Sequence, residues 1–334
     1  MKRVLSFLAL ASAGFALGCS SSSSSGSHGA PQPDASTGGD AATTGADAAG
    51  PSDAGPTDAS SLDAAGIVAA RPYQLHVPSG YDPSQPAPLV FMFHGYGASG
   101  SLEEAYMQLT GTSDAHGFLY AYSDGTLDHP PDGAAGSRFW NATNACCDLF
   151  DAGVDDVQYF DAMLADIESK YSVDPKRIFV IGHSNGGFMS HRLACDRASE
   201  VAAIFSLAGA QWYDLGRCTP TTTVSVAEIH GDADQTILYD GGATSEGTYP
   251  GAPTTVADWA SRNGCTGDLA DTGQTVDVVA DIPGSETHVS SYQGCPAGID
   301  VELLTMGGAS HIPILNQPGW GELVWGFLSA HAKP

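Results

Sequence analysis

The chain has 334 residues, of which 42% are hydrophobic and 15% charged, and its formal net charge at pH 7 is −26. This apolar content is sufficient for a sizeable core and excludes a chain that is disordered throughout. The negative charge repels phosphate backbones and anionic lipid surfaces, so we expect no nucleic-acid partner. No apolar run of membrane-spanning length follows the N-terminus, so we expect no integral membrane domain.

The N-terminal residues 1–19 predict an export signal. Lys2 and Arg3 precede an apolar stretch that ends in Gly18-Cys19. This pattern resembles a bacterial lipoprotein signal, in which the cysteine becomes the lipidated first residue of the mature protein. We therefore expect an exported lipoprotein, anchored through Cys19 to the outer membrane or cell surface, with that lipid as its one membrane contact. Ordinary secretion, with Cys19 removed, is the alternative.

Residues 20–65 consist mainly of Ser, Gly, Ala, Asp, Thr and Pro. A segment with so few large apolar side chains cannot bury enough surface to offset the entropy lost on ordering. The composition therefore predicts a disordered acidic tether, followed by a folded domain over residues 66–334.

Within this domain, strand patterns alternate with helical patterns. Short apolar runs predict strands over residues 89–93, 118–122, 177–181, 201–207, 224–230 and 301–306, and spaced apolar residues predict helices over residues 155–171, 187–194, 254–262 and 320–331. This alternation is typical of βαβ units, so we expect an α/β fold with a mostly parallel sheet and helices on both faces. Functional side chains in such folds lie at the carboxyl ends of the strands.

The ends of the predicted strands at 177–181 and 89–93 are expected to supply a nucleophile and two backbone N–H donors. Gly182-His183-Ser184-Asn185-Gly186 lies between a predicted strand and a predicted helix. In such a turn the serine hydroxyl is exposed above the sheet, so we expect Ser184 to be a nucleophile; an ordinary glycine-rich turn is the alternative. The N–H of Asn185 and that of Tyr96, or else of Gly97, are expected to form an oxyanion hole. His94 either braces the second loop or simply ends its strand.

An acid and a base are expected after the nucleophile in chain order. Asp232 and Asp234 follow the strand at 224–230; we favour Asp234, which lies further into the loop, whereas Asp232 suits the turn itself. His311 follows the strand at 301–306 and is the expected base. Four other histidines fit the position of the base less well: His230, which is expected to pack at the end of the sheet, and His191, His288 and His331.

Six cysteines follow Cys19, and an even number favours disulfides in an exported chain. Short loops favour the pairs Cys195–Cys218 and Cys265–Cys295. The neighbours Cys146 and Cys147 would pair with each other or elsewhere. Because there is no C-x-x-C pair, we expect no structural zinc site.

In this order, the motifs are similar to those of exported esterases grouped with polyhydroxybutyrate depolymerases and feruloyl esterases. Besides the segments around His94, Ser184 and Asp234, the resemblance rests on Phe139-Trp140-Asn141 before the paired cysteines and on Asp155-Asp156-Val157. It extends from about residue 71 to the C-terminus.

This resemblance implies an α/β-hydrolase fold and a Ser184–His311–Asp234 triad. It also implies an esterase that needs no metal or other cofactor. Trp140, together with Gly97, would line the substrate pocket, although the residues alone equally allow Trp140 to be a packing aromatic.

The residues after His311 bear on the substrate. Depolymerase-like members often carry Trp-Pro-Gly there, whereas this chain has Ile312-Pro313-Ile314. We therefore expect feruloyl-type esters linked to plant cell-wall polysaccharide, with a polyester depolymerase as the alternative. A catalytically inactive surface-anchored binding protein and a serine peptidase are further alternatives, because the tethered N-terminus suits the first and a triad does not separate esters from amides.

Overall fold

The structure is a computed structural model that describes residues 63–333. The signal peptide, lipidation of Cys19 and almost all of the predicted tether lie outside the described residues. Regular structure begins slightly before the predicted boundary at residue 66, because the Asp63 carboxylate accepts the Gly66 N–H at 2.8 Å and caps the first helix.

The helices of the described residues are α1 Ala64–Ala70, α2 Gly100–Met107, α3 Leu109–His116, α4 Asp156–Glu168, α5 Asn185–Asp196, α6 Ala252–Asn263 and α7 Gly319–Ala330. The strands are β1 Tyr73–His76, β2 Ala87–Phe93, β3 Leu119–Ser123, β4 Thr126–Leu127, β5 Arg138–Phe139, β6 Val173–His183, β7 Val201–Leu207, β8 Ser225–Gly231, β9 Gly241–Ala243, β10 Thr248–Pro250, β11 Leu269–Val276, β12 Thr287–Tyr292 and β13 Val301–Met306.

One large sheet organises these elements, with the strand order β1-β3-β2-β6-β7-β8-β13-β12-β11. In this order, each adjacent pair of strands from β3 through β2, β6, β7 and β8 to β13 is parallel. The strands β1 at one edge and β12 and β11 at the other pair antiparallel. The prediction of a mostly parallel sheet is confirmed. The carboxyl ends of β2, β6, β8 and β13 all meet at one end of this sheet.

The two faces of the sheet pack against different helices, because successive side chains of a strand point to opposite faces. From β2, Leu89 and Phe91 belong to a core shared with α4, α5 and α6, whereas Val90 and Met92 belong to a core shared with α2, α3 and α7. All residues of β2, β7 and β8 are buried, and the mainly apolar sequences of β2 and β7 indicate this burial. Helices on both faces are therefore confirmed.

The antiparallel hairpin β11–β12 is absent from the sequence-based prediction. Most of β11 is exposed, and its pairing with β12 shifts between Asp271 and Gln274 at an irregularity. Neither an apolar run nor a clean alternation therefore marks this edge of the sheet.

Three disulfides are present in the described residues. Cys195–Cys218 and Cys265–Cys295 form as expected, and the remaining pair joins the neighbours Cys146 and Cys147. The pair Cys265–Cys295 connects the end of α6 with the end of β12. Of the helices between residues 63 and 333, none combines the length and apolar character needed to cross a bilayer.

Candidate active site

Three side chains from distant parts of the chain form one hydrogen-bonded series. His311 Nε2 lies 2.8 Å from Ser184 Oγ, and His311 Nδ1 lies 2.7 Å from Asp234 Oδ2. Ser184 directly follows β6, while Asp234 and His311 lie in the loops after β8 and β13. The structure thus brings together the three residues predicted as nucleophile, base and acid.

Ser184 occupies a tight turn between β6 and α5. Its φ of 54° and ψ of −119° are unusual for a residue with a side chain. Two backbone bonds hold this conformation: the Ser184 N–H donates to the Leu207 carbonyl at 2.8 Å, and the Ser184 carbonyl accepts the Phe188 N–H at 2.9 Å. A Cβ on Gly182 would collide with the Gly186 carbonyl, so the close crossing of the chain requires glycine here.

Asp234 is fixed by the backbone of its own loop. Its Oδ1 accepts the N–H groups of Thr236 at 2.7 Å and Ile237 at 3.1 Å, which leaves Oδ2 for His311. Burial by itself would raise the pKa of this carboxyl, but bonds from His230 and His311 outweigh burial and hold the pKa well below its usual range. Asp234 is therefore a permanent negative charge beside His311.

Asp232 has a different function in the same loop. It is exposed, and its Oδ1 accepts the Gly308 N–H at 2.6 Å from the loop after β13. This bond joins the two loops but leaves Asp232 apart from His311. The structure therefore favours the choice of Asp234 over Asp232.

The surroundings of His311 keep it neutral near pH 7. Burial lowers its pKa below the ordinary value of 6.5, and the electrostatic effects of the nearby His183 and His230 side chains lower it further, against the opposing effect of Asp234. Because Asp234 accepts the proton on Nδ1, Nε2 is left unprotonated and can accept the hydroxyl proton of Ser184.

The loop after β2 lies directly against Ser184. A Cβ placed on Gly95 would lie 3.5 Å from the Ser184 Cβ. The Gly97 N–H is already bonded to the Arg138 carbonyl at 2.8 Å. Within residues 63–333, the N–H groups of Tyr96 and Asn185 have no other acceptor, which favours Tyr96 over Gly97 as the second oxyanion donor.

His94 braces this loop, one of the two functions considered for it. Its Nδ1–H donates to the Gly95 carbonyl at 2.8 Å, and its Nε2 accepts the Gly125 N–H at 2.8 Å. Burial lowers the pKa of His94, which is consistent with a neutral ring that donates at one nitrogen and accepts at the other.

Trp140 does not line the substrate pocket, which corrects the expectation from the resemblance. Its side chain is fully buried, and its indole N–H donates to the His94 carbonyl at 3.0 Å. Its backbone exchanges two hydrogen bonds with the Asn185 side chain, at 2.7 and 2.9 Å. Trp140 therefore packs behind the oxyanion loop, and Gly97, which faces Ser137, also lies outside the pocket lining.

The pocket itself is a cavity of about 670 Å³ beside Ser184 and His311. Two of its side chains, Leu102 and Ile312, are more than 60% exposed and form an apolar rim. Apart from the proposed catalytic residues, its lining is mainly apolar and includes Tyr96, Ala98, Leu102, Ala105, Tyr106 and Ile312. The site therefore suits a substrate with a bulky apolar group next to the reacting carbonyl.

Two residues of the site were missed from the sequence. Glu103 Oε2 accepts the Gly95 N–H at 3.0 Å, and Glu103 Oε1 lies 3.5 Å from His183 Nδ1. His183 Nε2–H donates to the His311 carbonyl at 2.9 Å, so the pair connects the oxyanion loop with the histidine loop. His183 lies inside the serine motif and could have been noticed, but nothing in the sequence of α2 distinguishes Glu103.

Three of the histidines that were considered as the base lie in other surroundings. His288 is exposed on β12, His331 bonds to Asp300, and His191 is buried against Glu228. Among the described residues, no group of three or more His, Cys, Asp or Glu side chains is placed to hold a metal ion.

Comparisons with known proteins identify the family of the chain. The sequence profile of the phospholipase/carboxylesterase family matches residues 75–250. Feruloyl esterase C from Emericella nidulans is 30% identical over 71% of this chain and 81% of its own length. Feruloyl esterase B from Piromyces equi is 31% identical over 77% of this chain, but the chain spans only 44% of that protein.

A solved structure supports the fold. Acetyl xylan esterase from Aspergillus awamori superimposes with a TM-score of 0.51 at 16% identity, covering 77% of this chain and 93% of the other. At this level of identity the similarity concerns the chain trace alone. It confirms the α/β-hydrolase fold that the motifs predict.

Proposed function

The chain belongs to the phospholipase/carboxylesterase family, and we propose that it is a serine esterase that uses Ser184, His311 and Asp234. One observation carries this proposal: the unbroken hydrogen-bonded series from Ser184 Oγ through both nitrogens of His311 to Asp234. Only a serine with an adjacent, oriented base becomes a strong nucleophile at neutral pH.

The reaction proceeds in two acyl-transfer steps. Ser184 Oγ attacks the ester carbonyl while His311 Nε2 takes the hydroxyl proton, and Asp234 stabilises the imidazolium that forms. His311 then protonates the departing alcohol, which leaves an acyl-serine. In the second step His311 takes a proton from water, the resulting hydroxide attacks the acyl group, and the proton returns to Ser184 Oγ as the acid departs.

Two backbone groups stabilise the negative oxygen of each tetrahedral intermediate. The N–H groups of Tyr96 and Asn185 flank Ser184 from the β2 loop and the start of α5. A donor of this kind typically lowers the barrier by about 3 kcal/mol. The Tyr96 hydroxyl donates to Asp128 at 2.5 Å, which holds the first donor's residue in place before substrate binds.

The substrates that fit best are feruloyl-type esters of plant cell-wall polysaccharide. The apolar cavity accommodates an aromatic acyl group, and its open, apolar rim leaves the alcohol side free for a polymer. The relatives named feruloyl esterases support this choice.

Activity is tested with a fluorophosphonate probe and a short p-nitrophenyl ester. We expect the probe to label the wild-type protein at Ser184 and to leave the Ser184→Ala variant unlabelled. Labelling of neither protein, together with no ester hydrolysis, would identify an inactive scaffold. A faster reaction with peptides than with esters at matched concentration would indicate a peptidase.

The substrate class is tested by two polymers at equal enzyme concentration. We expect ferulate to be released from wheat arabinoxylan and a polyhydroxybutyrate suspension to remain turbid. Clearing of the suspension without ferulate release would reverse the choice between the two esterase classes.

We also propose that the protein is exported and anchored through Cys19. The lipoprotein-like signal and the even number of cysteines after Cys19 support export. Detergent partitioning of the wild type and Cys19→Ala tests the anchor: only the wild type should enter the detergent phase. Equal partitioning of both into water would favour ordinary secretion.

A further inference from the structure

A series of buried polar contacts continues behind Asp234 into the core. His230 Nε2 lies 3.3 Å from Asp234 Oδ2, and His230 Nδ1 lies 3.1 Å from Glu228 Oε1. Glu228 Oε2 lies 3.0 Å from His191 Nε2, and His191 Nδ1 lies 3.0 Å from the indole nitrogen of Trp259. His230 is 1% exposed and Glu228, His191 and Trp259 are 0% exposed, so water does not screen these contacts.

The contact with Trp259 determines which ring nitrogen of His191 carries a proton. An indole N–H can only donate, so His191 Nδ1 accepts and carries no proton. The proton of the neutral His191 ring is then on Nε2 and is donated to Glu228. Although burial opposes ionisation, bonds from His191 and His230 hold the pKa of Glu228 below its usual range. Glu228 is therefore a buried carboxylate.

Among residues 63–333, no donor faces either ring nitrogen of His230. Its Nε2 lies 2.8 Å from the Ile237 carbonyl, which can only accept, and its Nδ1 faces the Glu228 carboxylate. Both nitrogens therefore carry protons. Burial alone would lower the pKa of His230, but the bonds to Asp234 and Glu228 and the negative charge of Glu228 raise it to about 9.

The titratable groups around the His230 ring are few. Glu228 precedes it on β8, and Asp234 faces it from the following loop, with His311 beyond. Tyr239 lies edge-on, with its ring centre at 5.8 Å, and its hydroxyl is bonded to Thr305 of β13 at 2.7 Å. Burial raises the pKa of Tyr239, so its hydroxyl remains neutral and adds no negative charge beside His230.

We propose that His230 is a positively charged positioning residue of the active site, which holds Asp234 from behind and lowers the basicity of His311. The inference rests on the proposed esterase function. Asp234 Oδ2 receives both His311 Nδ1–H and the charge of His230, so it attracts a proton on His311 less strongly than a free carboxylate would. The charge of His230 also repels a protonated His311 directly, which keeps His311 available as a base at lower pH.

The test is the pH dependence of kcat/KM for a p-nitrophenyl ester, measured on the full chain. His230→Gln retains a donor toward Asp234 but removes the positive charge, so the acid-side pKa of the profile should rise by about one pH unit.

His331→Gln is the matched control. His331 is also buried between a carbonyl, that of Phe327 at 2.7 Å, and a carboxylate, that of Asp300 at 2.8 Å, but it has no bond to Asp234. Its profile should keep the wild-type pKa. If His230→Gln lowers kcat/KM by one factor at every pH without moving the pKa, His230 has only a structural function and the proposal is wrong.

A second measurement needs no variant to fold. Nitrogen NMR of ¹⁵N-histidine in the wild type should show both ring nitrogens of His230 protonated from about pH 5 to about pH 8. An unprotonated ring nitrogen in that range would overturn the proposal. Absent ester hydrolysis and absent fluorophosphonate labelling would instead refute the proposed function, and NMR would still decide the charge of His230.

Discussion

The parallel centre and the antiparallel edge of the large sheet are stabilised in different ways. At the carboxyl ends of the parallel strands, Asp234 is 4% exposed and is fixed by several hydrogen bonds. At the opposite edge, β11 is mostly exposed and irregular, and the disulfide Cys265–Cys295 connects the adjacent strand β12 to α6. Buried polar contacts fix the reactive groups at the centre, whereas a covalent bond connects the edge to the rest of the domain.

We therefore expect substitutions in the two regions to affect different properties: the reaction rate at the centre and the free energy of unfolding at the edge. In the centre, hydrogen bonds hold reactive groups in place for chemistry, so substitutions there should mainly reduce the rate. At the edge, the covalent bond restricts the unfolded chain, so its loss should mainly reduce the free energy of unfolding. Four predictions test this separation.

The largest effect is expected for Ser184→Ala. Removing the nucleophile should reduce kcat/KM for p-nitrophenyl esters by roughly 10⁴-fold to 10⁶-fold. Thermal unfolding monitored by circular dichroism should stay close to that of the wild type, because the variant retains the turn and loses one hydroxyl. Wild-type turnover by this variant would remove the basis of the proposed mechanism.

The two carboxylates of one loop provide the second comparison. Asp234→Asn should lower kcat by about 10⁴-fold, because an amide no longer enforces the required tautomer of His311. Asp232 directly follows β8 and is exposed, so Asp232→Asn should change kcat by less than about threefold and serves as the matched control. Equal losses in both variants would mean that the loop as a whole, and not the Asp234 carboxylate, is needed.

The pH profile of the wild type is the third test. The pKa of His311 is lowered mainly by burial, so the base should remain unprotonated to below pH 6.5. Protonation of Nε2 removes the acceptor for the Ser184 proton, so kcat/KM should fall by about tenfold per pH unit below that pKa. A loss that begins above pH 6.5 would contradict the lowered pKa.

The smallest effect on rate is expected at the edge. Replacing both Cys265 and Cys295 by serine should reduce the free energy of unfolding by about 2 to 4 kcal/mol, because this bridge closes a sequence separation of 30 residues. Its kcat/KM should stay within about twofold of the wild type. Urea unfolding and ester hydrolysis measure the two quantities.

The buried bridge Cys195–Cys218 is the control for this variant. Both of its cysteines are less than 10% exposed, so their replacement by serine also places hydroxyls in the core and should cost more stability. If the edge variant lost much more than twofold in kcat/KM with little loss of the free energy of unfolding, this distinction between the two regions would be wrong.

Much of the centre was predictable because its signals are local. A strand covered on both faces must be apolar throughout, so β2 and β7 are visible as short apolar runs. The turn around Ser184 requires glycines at fixed positions, which the sequence displays. The chain order of an α/β-hydrolase then restricts the acid and the base to the loops that contain Asp234 and His311.

The remaining contacts depend on the assembled fold. The edge strand β11 lacks a periodic pattern, because most of its side chains face solvent and burial does not select them. Trp140 was compatible with either a pocket wall or a core position until its indole was placed against the His94 carbonyl. The same limit applies to Glu103 and to the charge of His230, since hydrogen-bond partners distant in sequence determine both.

The amino-acid order therefore specifies which segments become strands and helices and which residue types stand at the strand ends, because burial and backbone geometry act on neighbouring residues. Distances between side chains, and the protonation states that follow from them, arise only when the strands align. Ser184 and His311 are 127 positions apart, and their contact exists because β6 and β13 end at the same side of one sheet.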